Sequence, residues 1–75
     1  MMDGMPRYIV TTRSAKRGEA AAAKDAVSGV PGVRVLGVDD PDIVTIETSE
    51  PVAKDLKAKL FNTHIVEPEI RRSLH

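Results

Sequence analysis

The sequence predicts one α+β domain in which four β-strands and two helices follow each other in the order βαββαβ. Two observations lead to this prediction. Segments rich in β-branched residues recur along the chain, and two segments with helical spacing of apolar residues lie between them. A chain of 75 residues buries only about 60% of the surface that it exposes when unfolded, so we expect a thin aliphatic core.

The first half of the chain predicts a strand followed by a helix. The strand is expected over residues 7 to 13, where β-branched residues are frequent, after a disordered leader over residues 1 to 6. An Ala-rich stretch then begins at Ser14 and stops at Ser28-Gly29, which predicts a helix between them. Its apolar residues recur at helical spacing, namely Ala20, Ala23, Ala26, Val27 and Val30.

A β-hairpin is predicted next. Its first strand, over residues 33 to 38, has an apolar parity that slips after Val35, as one extra residue at a bulge near Gly37 would cause. The composition of residues 39 to 42 indicates a turn, and residues 43 to 48 form the next predicted strand. The short connection makes these two strands antiparallel.

The second helix is predicted to open at Glu50-Pro51, because proline is favoured in the first turn. Three apolar residues follow four apart on one face, Val52, Leu56 and Leu60. Asn62 is a predicted terminator. A fourth strand then includes His64, and Pro68 is expected to end its regular pairing.

Right-handed crossovers fold this order into a four-stranded antiparallel sheet with both helices on one face, which is the ferredoxin-like sandwich. The domain is expected to span residues 7 to 68, with residues 69 to 75 as an extended tail. One sheet face stays uncovered by helices. We expect Val44 and Ile46 to face the helices, whereas Ile43, Thr45 and Glu47 lie on the open face. Alternation along the first strand turns either Tyr8 and Val10 or Ile9 and Thr11 toward the helices. The pattern does not decide between the two pairs.

Composition argues against several classes of function. Eleven basic and eleven acidic residues do not make the electropositive surface that nonspecific nucleic-acid binding needs. RNA-recognition modules of the same element order stack bases on strand aromatics, and the third strand has none. The chain lacks cysteine, a signal-peptide pattern and any apolar run of membrane-spanning length. We therefore expect no membrane partner and, unless an export signal was removed, a cytoplasmic protein.

No constellation of residues predicts catalysis. The only histidines are His64 and His75, and the serines have no nucleophile-elbow glycines near them. The acidic turn of residues 39 to 42 lacks the glycine and terminal glutamate of a calcium loop. We expect neither an enzyme nor a cofactor or metal site.

The C-terminal tail favours a binding role. The eight residues from Pro68 to the end, if extended, reach roughly 26 Å, which covers several substrate-binding positions of a protease. Proteases bind extended chains through backbone hydrogen bonds and alternate side chains. The alternative is a frayed C-terminus without a role.

Three segments carry a resemblance to a known family: Arg7-Tyr8-Ile9-Val10, Val38-Asp39 and Ile65-Val66-Glu67-Pro68-Glu69. Over nearly all of residues 7 to 75 the chain resembles the propeptides and stand-alone inhibitors of subtilisin-like serine proteases. The resemblance implies a non-enzymatic inhibitor, with a further role as a folding chaperone for its protease. In that family the open sheet face packs against two parallel helices of the enzyme.

The resemblance also implies which residues bind. Glu67 and Glu69 would lie at the N-termini of the protease helices, where backbone donors favour negative charge. The other docking residues would be Ile65, Ile43 and Thr45. The substrate groove would hold the tail residues Ile70, Arg71, Arg72, Ser73, Leu74 and His75.

The tail departs from the family in two places. Arg72 stands where a small or apolar residue is common, and His75 is an unusual terminal residue for a subtilisin pocket. The partner is expected to be a subtilisin-like protease, and the free protein is expected to be a monomer. The competing hypothesis is a small regulatory or oligomerisation module that binds a protein or metabolite through its open sheet face.

Overall fold

The computed structural model describes residues 5 to 69, apart from the side chain of Asp39. The predicted leader and tail thus lie largely outside the described residues. The strands are β1 Arg7–Thr12, β2 Arg34–Asp40, β3 Ile43–Glu47 and β4 His64–Pro68, and the helices are α1 Ala23–Val27 and α2 Glu50–Lys59. A 3-10 turn, Ser14–Lys16, follows β1.

The sheet has the strand order β2-β3-β1-β4, and each pair of neighbours is antiparallel. This confirms the predicted α+β fold, a four-stranded ferredoxin-like sandwich. β1 and β3 are the central strands, and each is hydrogen-bonded to a neighbouring strand on both sides. β2 and β4 are its two edges.

One apolar cluster holds the helices against the sheet. It contains residues from both helices and from three strands, so both helices pack on the same sheet face: Val10, Ala23, Val27, Val44, Ile46, Leu56 and Val66. The structure confirms that Val44 and Ile46 face the helices. It also decides the orientation of β1, because Val10 is fully buried and Tyr8 packs against the cluster. Ile9 and Thr11 therefore lie on the open face.

The predicted first helix is wrong in length. Only Ala23–Val27 are α-helical, and the chain from Arg17 to Ala22 is irregular. Gly18 has a φ of +84°, a left-handed conformation that ends the preceding turn, and Ala22 is extended. Alanine spacing alone therefore overestimated the helix, because the backbone is diverted at Gly18 before the helical face begins.

Helix α2 begins and ends as its sequence suggests. Ser49 caps it, since its hydroxyl accepts a bond from the backbone N–H of Val52, and Pro51 lies in the first turn. Leu56 is buried and Leu60 packs against the core, which confirms the apolar face. The helix ends at Lys59, so the predicted terminator Asn62 lies in the turn beyond it.

The hairpin has the predicted bulge and a second irregularity that the sequence did not reveal. The β2–β3 register shifts between Val35 and Gly37, as the parity slip indicated, and again between Val38 and Asp40. The strand continues to Asp40, so the predicted turn over residues 39 to 42 is too long. Asp40 tightens the real turn, because its Oδ1 accepts a 2.8 Å bond from the backbone N–H of Asp42.

Strand β4 ends at Pro68, as predicted, and one backbone hydrogen bond continues the pairing beyond it. Pro68 is the Cα partner of Tyr8, and the next residue, Glu69, donates its backbone N–H to the carbonyl of Arg7 at 2.8 Å. Alternation along the strand turns the nitrogen of Pro68 to the free edge, where no donor is needed. The paired chain therefore reaches the last described residue.

His64 is a strand residue, as predicted, and it is buried. Its Nε2 lies 2.8 Å from the carbonyl oxygen of Ala21, and its Nδ1 lies 2.6 Å from the hydroxyl of Thr63. A carbonyl only accepts, so Nε2 carries a proton and donates it. The ring thus ties the irregular segment before α1 to the edge strand.

Candidate functional site: the open sheet face

Helices α1 and α2 pack on one face of the sheet and leave the other face uncovered by helices. We call it the open face and define it by strand alternation and register. Its members are Arg7, Ile9 and Thr11 of β1, Arg34, Gly37 and Asp40 of β2, Ile43, Thr45 and Glu47 of β3, and Ile65 and Glu67 of β4. These residues form three rows that cross the strands and differ in chemistry.

One end of the open face is an apolar row. Thr11 is the Cα partner of Ile43 on one side and of Ile65 on the other, and the exposed Asp40 on β2 pairs with Ile43 at the edge of this row. Ile43 is 37% exposed, and the side chains of Thr11 and Ile65 are half-buried by their neighbours. Cross-strand neighbours of this kind shield each other only partly, so the row offers apolar area to a partner.

The middle row carries an acidic group beside apolar surface. Ile9 pairs with Thr45 on β3 and with Glu67 on β4, and Thr45 in turn pairs with Gly37 on β2. Glu67 is exposed at the edge of the sheet. Gly37 adds no side chain, so the surface is recessed where this row reaches β2.

The other end is a row of charges with alternating sign. Glu47 is the Cα partner of both Arg34 and Arg7. Beyond Arg7, the row continues to Glu69, whose Oε1 lies 4.0 Å from the guanidinium of Arg7. Both of these side chains are partly exposed, so the ion pair contributes at most about 1 kcal/mol. The net charge of the row is low, and it gives the face a polar rim.

The structure brings four of the predicted docking residues together on one surface, namely Ile43, Thr45, Ile65 and Glu67. Glu69 lies at the end of β4, beside Arg7 rather than beside the apolar row. The predicted groove segment, residues 70 to 75, lies outside the described residues. The last described residue, Glu69, is hydrogen-bonded to Arg7, the first residue of β1.

Sequence reasoning missed part of this surface. Ile9 and Thr11 belong to a central strand of this surface, but the alternation of β1 fitted either orientation. The charged row was also missed, because Arg34, Glu47 and Arg7 come from three strands and only the register makes them neighbours. The alternating sign of these residues across predicted adjacent strands was the signal that could have revealed it.

Neither of the two aromatic residues of the protein belongs to a row of the open face. Tyr8 packs on the helix side, and Phe61 lies in the turn after α2, where the guanidinium of Arg13 stands 5.7 Å from its ring centroid. Base stacking on a sheet needs aromatic rings on the exposed strands. The open face therefore has no aromatic platform for RNA.

Two further structural features are absent from residues 5 to 69, a cluster of metal-binding side chains and a membrane-spanning helix. No three or more histidine, aspartate or glutamate side chains in this part come together as a metal site. No helix in it has the length and apolar character needed to cross a membrane.

Comparisons of the chain with known protein families, with curated proteins and with solved structures found no match. The geometry of the open face and of the residues that surround it is therefore the basis for assigning a function.

Proposed function

We propose that the protein inhibits a subtilisin-like serine protease, with the open face docked on the enzyme and residues 70 to 75 in the substrate groove. One observation carries the proposal. β4 presents Ile65 and Glu67 on the open face and then leads without a turn to Glu69, from which the C-terminal segment departs. A body that docks through this face therefore positions the segment beside it.

The chemistry of the open face fits two helices of a partner. The apolar row around Thr11 supplies contact area, and half of an ordinary interface needs about 800 Å². Glu67 stands next to this apolar surface with its carboxylate exposed. A carboxylate in that position is stabilised by the free N–H groups and the dipole at a helix N-terminus.

The direction of the chain at Glu69 fits an extended binding segment. The backbone there is still held by β1 through the bond to Arg7. The six residues that follow span roughly 20 Å when extended, which is enough for several subsites of a protease. Such a segment binds by adding a strand to the enzyme, and linkage to a docked body raises its effective concentration.

The test measures hydrolysis of a chromogenic peptide by a subtilisin-type protease in the presence of the full chain or a chain that ends at Ile70. The full chain is expected to inhibit competitively, and the shortened chain is expected to inhibit at least about a hundredfold more weakly because residues 71 to 75 of the groove segment are gone. Circular dichroism checks that both are folded. Equal inhibition by the two chains would refute the role of the segment.

A second variant tests the open face separately. Glu67→Ala removes the carboxylate beside the apolar row, and we expect inhibition about fivefold weaker, since charged contacts at helix termini contribute about 1 kcal/mol. Glu19→Ala is the matched control, because it makes the same charge change at an exposed loop position. Equal effects of the two substitutions would mean that Glu67 does not dock.

The competing function, a regulatory or oligomerisation module that uses the same face, gives a different result in this assay. It requires no inhibition of several subtilisin-type proteases by protein shown to be folded. That outcome would overturn the inhibitor proposal.

A further inference from the structure

The edge strand β2 carries apolar side chains that the rest of the fold leaves exposed. Val35 is 36% exposed, Leu36 is 40% exposed and Val38 is 43% exposed. The strand contains no proline and no lysine, which are two common devices that protect a sheet edge from pairing, but it does carry a third such device, the two bulges on either side of Gly37. A free apolar edge of this kind is a template for another strand.

The exposure arises because the helix layer stops short of β2. Val35 is the Cα partner of Ile46, and Val38 is the Cα partner of Val44, so both valines lie on the helix side. Their partners are almost fully buried, whereas the two valines are not. Helix α1 has five residues and packs on β1 and β3. Val35 and Val38 therefore form an exposed apolar strip beside α1 at the edge of the sheet.

We propose that β2 pairs antiparallel with β2 of a second copy of this chain, about a two-fold axis at Gly37. The charges at the two ends of the strand point to this partner. Arg34 and Asp40 both lie on the open face, through their pairing with Glu47 and Ile43, and both are exposed. They stand three residues before and three residues after Gly37. Antiparallel pairing about Gly37 sets Arg34 opposite Asp40 of the second copy, and the symmetry repeats this contact.

A parallel arrangement in the same register would place Arg34 against Arg34 and Asp40 against Asp40, which is unfavourable. The antiparallel register also places Val38 of one copy opposite Leu36 of the other, and Val35 opposite Asp39. The two apolar strips then lie side by side on the helix side of one eight-stranded sheet. The second copy thus covers the part of β2 that α1 leaves open.

This pairing shares Arg34, Gly37 and Asp40 with the open face but does not use β4. β2 and β4 are opposite edges of the sheet, so a partner on β2 does not contact the strand that leads to residue 70. The inference replaces the expectation of a monomer with a dimer that forms as concentration rises. Either the dimer or the inhibitor proposal can fail without the other.

The test uses two charge-reversed variants, Arg34→Asp and Asp40→Arg, and analytical ultracentrifugation of each alone and of their equimolar mixture. In each homodimer both cross-copy contacts become repulsive, so we expect self-association about tenfold to a hundredfold weaker than that of the unaltered chain. In a mixed dimer the two substituted side chains face each other with opposite charges, and so do the two side chains that were left unaltered. The mixture is therefore expected to dimerise about as tightly as the unaltered chain.

Rescue by mixing separates this pairing from damage to the fold, because a variant that does not fold cannot be rescued by its complement. Val38→Lys is an additional variant that places a charge in the apolar strip, and we expect it to remain monomeric while its circular dichroism spectrum is unchanged.

An unaltered chain that stays monomeric up to millimolar concentration would overturn the proposal. So would a mixture no more associated than its components. A Val38→Lys protein that associates as tightly as the unaltered chain would also overturn it.

Discussion

Thr12 of β1 caps helix α1 from the neighbouring element. Its Oγ1 accepts a 2.9 Å hydrogen bond from the backbone N–H of Ala23, the first residue of the helix, and both residues are buried. Ala22, at the N-cap position, has no side chain that could accept this bond. A hydroxyl eleven residues earlier in the chain therefore performs the task that serine or asparagine usually performs locally.

Replacing Thr12 with valine tests the importance of this cap. Valine has nearly the same shape but no acceptor, so the N–H of Ala23 would be buried without a partner, and we expect a loss of about 1–3 kcal/mol in the free energy of unfolding. Thr12→Ser is the matched control, because it keeps the hydroxyl and removes one methyl group, which costs about 1 kcal/mol. Urea unfolding followed by circular dichroism measures both. A valine variant as stable as the serine variant would show that the cap contributes little.

His64 makes a comparable connection at the other side of the same segment. His64→Leu keeps the volume buried but leaves the carbonyl of Ala21 and the hydroxyl of Thr63 without their ring partners. We expect a loss of about 1–3 kcal/mol in the free energy of unfolding. His64→Gln retains a side-chain N–H donor and should lose less. Equal losses in the two variants would indicate that packing, rather than the hydrogen bond to Ala21, determines the effect.

Two glycines near the end of α1 provide a matched pair for backbone conformation. Gly32 has a φ of +83°, and a Cβ placed there would stand 3.5 Å from Val52 Cγ2, an ordinary contact. Gly32→Ala should therefore destabilise the fold through its backbone alone, by about 1–2 kcal/mol. At Gly29, φ is not positive and an added Cβ would meet no atom within 4 Å. Gly29→Ala should be neutral or stabilise by up to about 1 kcal/mol. Thermal unfolding of both variants measures the difference, and a Gly32→Ala protein as stable as Gly29→Ala would contradict this reasoning.

The sequence correctly predicted features that depend only on neighbouring residues in the chain. The parity slip after Val35 predicted the first bulge of β2, and the spacing of Leu56 and Leu60 predicted the buried face of α2. Each of these signals comes from a few consecutive residues and from one periodicity. The order of the elements then restricted the topology to the observed sheet.

Other features depend on contacts between distant residues. The length of α1 depends on the left-handed turn at Gly18 and on the distant partners Thr12 and His64, none of which alters the alanine spacing. The orientation of β1 was undecided because Tyr8 and Val10 alternate with residues of similar apolar character. It is fixed by the register with β3 and β4, which the sequence of β1 alone does not encode.

The centre of the open face offers the last test of docking. Thr45 lies between Ile9 on β1 and Gly37 on β2 and points away from the core, so Thr45→Arg should leave the fold intact. A long charged side chain there would hold a partner surface away from the apolar row, and we expect inhibition of the protease at least about tenfold weaker, a change of about 1.4 kcal/mol. Ala58→Arg is the matched control, since it adds the same side chain at an exposed position of α2, on the helix side. The comparison needs the inhibition constant and the urea midpoint of both variants. If Thr45→Arg and Ala58→Arg inhibit equally well, the open face does not dock on the enzyme, and inhibition, where present, comes from the C-terminal segment alone.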